Sequence, residues 1–176
     1  MVYLIKMQAN QTVWRIVTQR FVATAFSGEG ARLFGGRWNQ KGESLVYTAE
    51  SRSLALLEML VQDEPLRAHY VLISAKIPKD ISRQSIPLKK LPSEWRNLER
   101  REALQEIGSQ WLYEAKTCVL EVPSAVIPAE HNFLLNPAHP EFSKIKIGIP
   151  ERLEVDLRLM RNQSDFPPDL PPSLLA

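Results

Sequence analysis

Residues 34–60 read FGGRWNQKGESLVYTAESRSLALLEML, and this stretch decides the fold class. Two glycines, an arginine, a tryptophan and an asparagine come first, in a segment where backbone freedom matters more than propensity. SLVYTA (44–49) follows and reads as a short, mostly buried strand ending a glycine-rich loop. Ser51 then stands where a helix N-cap belongs, and the helix pattern runs to about Gln62, with Pro65 beyond it. That helix carries one carboxylate, Glu58, among apolar residues, with Arg37 and Tyr47 upstream. On a helical wheel of about 100° per residue, Leu54, Leu57, Leu60 and Val61 form the apolar face, and Glu58 falls beside Leu54. The wheel leaves two readings open: a boundary glutamate half in water, or a carboxylate facing an interior cleft. The second requires a cation or hydrogen-bond donors, because an uncompensated buried carboxylate is costly. Arg37, on its glycine-rich loop, is the obvious partner.

Working outward, TVWRIV (12–17) reads as a strand near the N-terminus. Residues 27–42 hold five of the seven glycines and read as loop. HYVLISAKI (69–77), TCVLEV (117–122), NFLL (132–135) and KIKIGI (144–149) are strand candidates, and LEVDLRL (153–159) alternates as a last strand. Residues 78–92 read as proline-punctuated loop. SEWRNLERREALQEIGSQWLYEA (93–115) contains most of one long helix, with a break expected near Gly108. Strands and helices do not alternate regularly, so the expectation is an α+β domain rather than a doubly wound nucleotide fold. Residues 1–160 are expected to form one domain. The stretch 161–176 holds SDFPPDLPPSLLA and is expected to be a tail without regular structure.

Bulk composition excludes several function classes. With 176 residues, 44% hydrophobic and 24% charged, the chain suits one soluble domain. A net charge of +2 gives no general case for nucleic-acid or membrane binding. Cys118 is the single cysteine, so neither an intramolecular disulfide nor a multi-cysteine metal site is available. No run approaches the ~18 apolar residues of a membrane span, and the opening MVYLIKMQANQT is too weakly apolar for a secretory leader. The expected location is the cytoplasm.

Other candidates carry less. GEGARLFGG matches neither a Walker loop nor GxGxxG, so Arg37 could be a phosphate-binding fork or an exposed loop arginine. Tyr47, Trp14 and Trp38 read as core aromatics, or as rings for stacking on a flat ligand. Ser124 follows a strand without a nucleophile elbow, so a triad with His69, His131 or His139 lacks support. His131 and His139 are not in a metal-ligating pattern. Arg96, Arg100 and Arg101 lie beside Trp95 but are diluted by Glu94, Glu99 and Glu102, which favours a solvated helix face over a nucleic-acid patch.

Taken together, GGRWNQKGESLVYTAESRSLALLE, VPSAVIPAEHNFLLNPAHPEF, DLRL and the opening VWRIV resemble the RES domain family over about residues 12–159. The resemblance implies a fold similar to ADP-ribosyltransferase toxins, a split β core with surrounding helices and NAD bound in a cleft. It implies the toxin of a bacterial toxin–antitoxin pair, paired with an Xre-like antitoxin that has a helix-turn-helix domain and covers the active site. The implied activity is cleavage of NAD by hydrolysis or phosphorolysis, with transfer of ADP-ribose to a macromolecule as the alternative. A non-catalytic module on the same fold would be expected to have lost Arg37 or Glu58, and both are present. By position, Arg37, Glu58 and Ser124 are the implied catalytic residues, while Tyr47 and Arg15 join Arg37 and Ser124 in binding NAD. The chemistry suits them. Breaking the nicotinamide–ribose bond develops positive charge on the ribose, which a carboxylate stabilises. Arginines grip the pyrophosphate, tyrosine packs on the nicotinamide ring, and the serine hydroxyl bonds either the ligand or Arg37. NAD is then substrate, not cofactor, and no metal, membrane or nucleic acid is called for.

Overall fold

The computed structural model describes residues 3–4, 10–61, 69–156 and 159. The expected tail, 161–176, and the end of the last strand candidate lie outside the described residues. Among the described residues the strands are β1 (Tyr3–Leu4), β2 (Gln11–Thr18), β3 (Val46–Ala49), β4 (Tyr70–Ile77), β5 (Arg83–Ser85), β6 (Val119–Pro123), β7 (His131–Leu135), β8 (Lys146–Ile147) and β9 (Glu151–Arg152). The helices are α1 (Glu29–Phe34), α2 (Arg52–Leu60) and α3 (Glu102–Glu114). The strands form one mixed sheet in the order β1-β5-β6-β7-β3-β2-β4-β8, with β9 also on β4. The fold class is α+β, as the sequence led one to expect.

The sheet is nearly divided in two. β2 and β4 pair antiparallel along their whole length, from Gln11 opposite Ile77 to Thr18 opposite Tyr70. β3 pairs with β7 from Val46 opposite Leu135 to Ala49 opposite Asn132, and β7 continues the sheet into β6. Between these halves, β2 and β3 share one residue pair, Trp14 opposite Ala49. Beyond that pair the strands part, and the parting makes the split core.

Alternation along the strands sorts the core. Val13, Val46, Ala75, Val119, Phe133 and Leu135 pack together in one cluster. Leu120, Val122 and Leu134 pack instead with Leu104 and Trp111 of α3 and with Trp38. Ala49 and Leu72 pack beneath Leu54 and Ala55 of α2. Neighbouring residues on β6 and β7 thus enter different clusters, the period-two pattern of a sheet covered on both faces.

Four sequence expectations are corrected. Glycine-rich residues 27–42 are not all loop, because Gly28 (φ 76°) and Gly35 (φ 70°) bracket the short α1. Both adopt left-handed backbone that glycine reaches without penalty. β5 lies within the stretch read as proline-punctuated loop; it is three residues long and pairs parallel with β6, too short to show alternation. The long helix within 93–115 occupies Glu102–Glu114, and it runs unbroken through Gly108. That glycine serves close approach instead: a Cβ there would lie 1.7 Å from the Trp38 carbonyl oxygen. Over its described residues, 153–156 and 159, LEVDLRL forms no strand. Glu151–Arg152 pairs with β4, whereas Leu153 to Asp156 have no regular structure, apart from a Leu153 N–H bond to the Tyr70 carbonyl at 3.0 Å.

Candidate active site

α2 starts where the sequence says. Ser51 Oγ accepts from the Leu54 N–H at 3.0 Å, an N-cap of the ordinary kind. The helix packs mainly on β2 and β3, and only one side of it is covered: Leu54 and Ala55 are buried, while Leu57 and Val61 are exposed. This rotation answers the question that the wheel left open. Glu58 is about 40° past Leu54 on the wheel, inside the arc between Leu54 and Ala55. It therefore faces the sheet near its parting rather than sitting at the rim of an apolar stripe.

The Glu58 carboxylate is held from below. Asn132 Nδ2 donates to Oε1 at 2.6 Å and Ser124 Oγ donates to the same oxygen at 2.8 Å. Oε2 has no hydrogen-bond partner among the described residues. Ser124 is fully buried, and its oxygen also accepts from the Val126 and Ile127 N–H groups at 3.0 Å each. The serine expected on the ligand or on Arg37 instead has its hydroxyl engaged in orienting Glu58. Nor does it meet a histidine: His131 Nδ1 lies 3.3 Å from Glu50, and no Ser–His pair forms here.

The arginine side is a pinned loop. Asn39 is fully buried, and its Nδ2 donates to the carbonyls of Ala31, Gln40 and Glu43 at 2.9, 2.9 and 3.1 Å. Its Oδ1 accepts from the Tyr47 hydroxyl at 2.8 Å, and that hydroxyl accepts from the Trp38 N–H at 3.0 Å. Gln105 of α3 donates to the carbonyls of Gly36 and Asn39 at 2.8 and 3.2 Å. Gly36 has to be glycine, since a Cβ would lie 2.4 Å from the Tyr47 hydroxyl. Arg37 leaves this clamp with Nη1 donating to the carbonyls of Trp95 and Arg96 at 3.1 and 3.2 Å.

Arg15 comes from the other half of the sheet. It follows Trp14, where β2 and β3 part, and its Nη1 donates across the gap to the Tyr47 carbonyl at 2.7 Å. Its Nε is buried without a partner among the described residues. Burial pushes its pKa down to about 10, so it stays charged at neutral pH. Burial likewise lowers Arg37, while Glu58 and Tyr47 draw it back up and Arg96 and Arg101 push it down again. Burial raises the Tyr47 phenol, which stays protonated and able to donate.

The sequence-chosen residues Arg15, Arg37, Tyr47, Glu58 and Ser124 thus gather about the split: Arg15 bonds Tyr47, Ser124 bonds Glu58, and Glu58 and Tyr47 both act on the Arg37 charge. Asn132 and Asn39 were missed. Each is a polar residue inside a run read for its apolar pattern or its glycines, and a buried asparagine there signals a bonded network. Among the described residues no group of three His, Cys, Asp or Glu is placed to hold a metal. Nor is any helix there long and apolar enough to cross a membrane. Cys118 is buried and its thiol pushed up to about 12, mainly by burial, which fits the packing role read for it.

An arginine-lined cleft with one oriented carboxylate invites comparison with known proteins. The RES domain family model matches residues 12–156. The chain is 38% identical over 153 residues to a Photorhabdus laumondii protein named Toxin Res, covering 85% of this chain and 97% of that protein. It is 36% identical over 154 residues to a Sphingobium protein named Prs ADP-ribosylating toxin, covering 84% and 96% respectively. Its fold is similar to a chain in the crystal structure of the M. tuberculosis MbcT–MbcA toxin–antitoxin complex, with a TM-score of 0.71, 18% identity, and coverage of 85% and 86%.

Proposed function

The chain belongs to the RES domain family, and on that premise we propose that it is the toxin of a toxin–antitoxin pair and cleaves the nicotinamide–ribose bond of NAD. The observation that carries this reading is the held carboxylate. Among the described residues Glu58 is fixed through Oε1 alone, which leaves Oε2 for a substrate. A negative group oriented before substrate arrives stabilises developing charge without reorganising.

In the proposed reaction the C–N bond between ribose and nicotinamide breaks. Its electron pair goes to the ring nitrogen, so the cationic ring leaves as neutral nicotinamide and needs no proton. The ribose carbon becomes oxocarbenium-like, with Glu58 beside it. An oxygen of water or phosphate then bonds that carbon and loses its proton to solvent. Arg37 and Arg15 hold the diphosphate. Tyr47 lies against the nicotinamide and holds the arginine loop through its hydroxyl. Ser124 acts as a positioning residue for Glu58.

The Sphingobium relative's name favours a second reading, transfer of ADP-ribose to a macromolecule. One experiment separates them: NAD incubated with the protein, with and without phosphate, products resolved by chromatography, beside Glu58→Gln. Nicotinamide with ADP-ribose identifies hydrolysis, and nicotinamide with phosphorylated ADP-ribose identifies phosphorolysis. Label from NAD on a lysate protein, with no free ADP-ribose, selects transfer. A folded protein that does none of these refutes the proposal.

The partner is proposed to be an Xre-like antitoxin with a helix-turn-helix domain that covers this cleft. The fold neighbour comes from a toxin–antitoxin complex, which supports a partner of that role. A complex that still turns over NAD would contradict the covering.

A further inference from the structure

The segment 94–101 carries three arginines that sequence alone assigns to a solvated helix face. Arg100 fits that assignment, with its Nε 2.9 Å from Glu94 and both side chains exposed. Arg96 does not. Its Nε donates to the Ala125 carbonyl at 2.8 Å, next to Ser124, and its own carbonyl accepts from Arg37 at 3.2 Å. Arg96 therefore links the Arg37 side chain to the turn that follows Ser124. Its two terminal nitrogens have no partner among the described residues.

Arg101 follows on the same segment. With Lys41, Glu102 and Glu106 it lines a groove of about 440 Å³ beside the Arg37 loop. No carboxylate pairs with it among the described residues. Arg96 and Arg101 both repel Arg37, against which Glu58 is the one carboxylate that draws Arg37 back. The mutual repulsion of Arg37, Arg96 and Arg101 raises the free energy of the empty site, and an anion bound among them relieves that cost. Arg37 cannot supply all the donors, because its Nη1 is already engaged by two carbonyls.

We propose that Arg96 and Arg101 form an outer anion site on the rim of the cleft, and that it takes phosphate oxygens. The inference rests on the NAD reading for the identity of those phosphates. They belong either to the substrate's diphosphate or to a free phosphate acting as acceptor. Two free guanidinium nitrogens on Arg96 suit the bidentate grip that phosphate accepts.

The test is calorimetry of the full chain with ADP-ribose and, separately, with inorganic phosphate, alongside steady-state NAD cleavage. Arg96→Gln retains a donor for the Ala125 carbonyl but removes the charge, and Arg101→Ala alters an exposed side chain that no partner holds. The expected result is about a tenfold loss of ADP-ribose affinity in each variant, with KM raised and kcat near wild type. Loss confined to inorganic phosphate, with phosphate-dependent turnover falling in step, supports the site as the acceptor's seat. If wild type cleaves NAD and binds ADP-ribose and both variants match it, the outer site is refuted and the NAD reading stands. If wild type binds phosphate but neither cleaves NAD nor binds ADP-ribose, and the variants lose phosphate, the site stands and the NAD reading falls.

Discussion

Asn132 and Glu58 are joined by a 2.6 Å hydrogen bond from Nδ2 to Oε1, between a strand and a helix that the chain separates by 74 residues. The bond sets which carboxylate oxygen remains for a ligand. It also ties the two halves of the site, because Asn132 stands opposite Ala49 at the point where β3 gives way to the Ser51 cap.

Replacing Asn132 tests that geometry. Asn132→Ala leaves Ser124 as the remaining donor, and kcat should fall about 10- to 100-fold through misorientation of Glu58. Asn132→Asp should give a different signature. Two carboxylates at hydrogen-bond distance share a proton, and one titration moves up by about 1–3 units. The acid limb of the kcat profile should shift to higher pH, with activity recovering as pH rises. A profile unmoved by Asn132→Asp would show that Glu58 does not carry the rate.

Ser124→Ala should separate stability from chemistry. The hydroxyl accepts from Val126 and Ile127 and donates to Glu58. Its loss leaves two backbone donors dependent on water and should lower unfolding free energy by about 1–3 kcal/mol in denaturant titration. ADP-ribose affinity should change little, because the serine is fully buried beneath the carboxylate. A large loss of affinity with normal stability would restore the direct ligand contact first expected of it.

Gly108 and Gly30 offer a matched pair in two helices. Gly108→Ala drives a methyl into the Trp38 carbonyl at 1.7 Å, a backbone atom that cannot swing aside. Unfolding free energy should drop by about 2–4 kcal/mol. Trp38 adjoins Arg37, so KM should rise as well. Gly30→Ala meets nothing within 4 Å and should stabilise by about 0.5–1 kcal/mol. Thermal unfolding of the two variants decides this.

What the sequence made legible follows from what is local. Ser51, Leu54 and Ala55 are neighbours, so the cap and the helix could be read directly. The Glu58 role required knowing which side of α2 meets the sheet, and Leu57 misled because an apolar residue left at the surface looks the same in sequence as one in the core. Arg15, Arg37, Tyr47, Glu58 and Ser124 were named through ordered motifs, whereas Asn39 and Asn132 act through bonds to distant groups that no spacing encodes. The division of the sheet was implied by resemblance, but its physical cause is the single β2–β3 pair at Trp14, a register fact invisible in either strand alone.

Arg15 brings stability and function into opposition. Its Nε is buried without a partner among the described residues, and burial lowers its pKa to about 10. The unfolded chain binds that proton more tightly, so the charge opposes folding at neutral pH and ceases to do so once pH rises past the unfolded value. Arg15→Met keeps length and apolar bulk while removing the charge, at the loss of one bond to the Tyr47 carbonyl. Replacing a poorly compensated buried charge by an apolar side chain is commonly neutral or stabilising by about 1–4 kcal/mol. The empty protein should therefore unfold at equal or higher denaturant, while ADP-ribose affinity falls at least tenfold for want of an inner cation. Wild type should gain more thermal stability from ADP-ribose than the variant does, because the variant lacks the Arg15 charge for the diphosphate to neutralise. If Arg15→Met both destabilises the empty protein and binds ADP-ribose normally, Arg15 is a structural bridge across the split and the diphosphate is held from the Arg37 side alone.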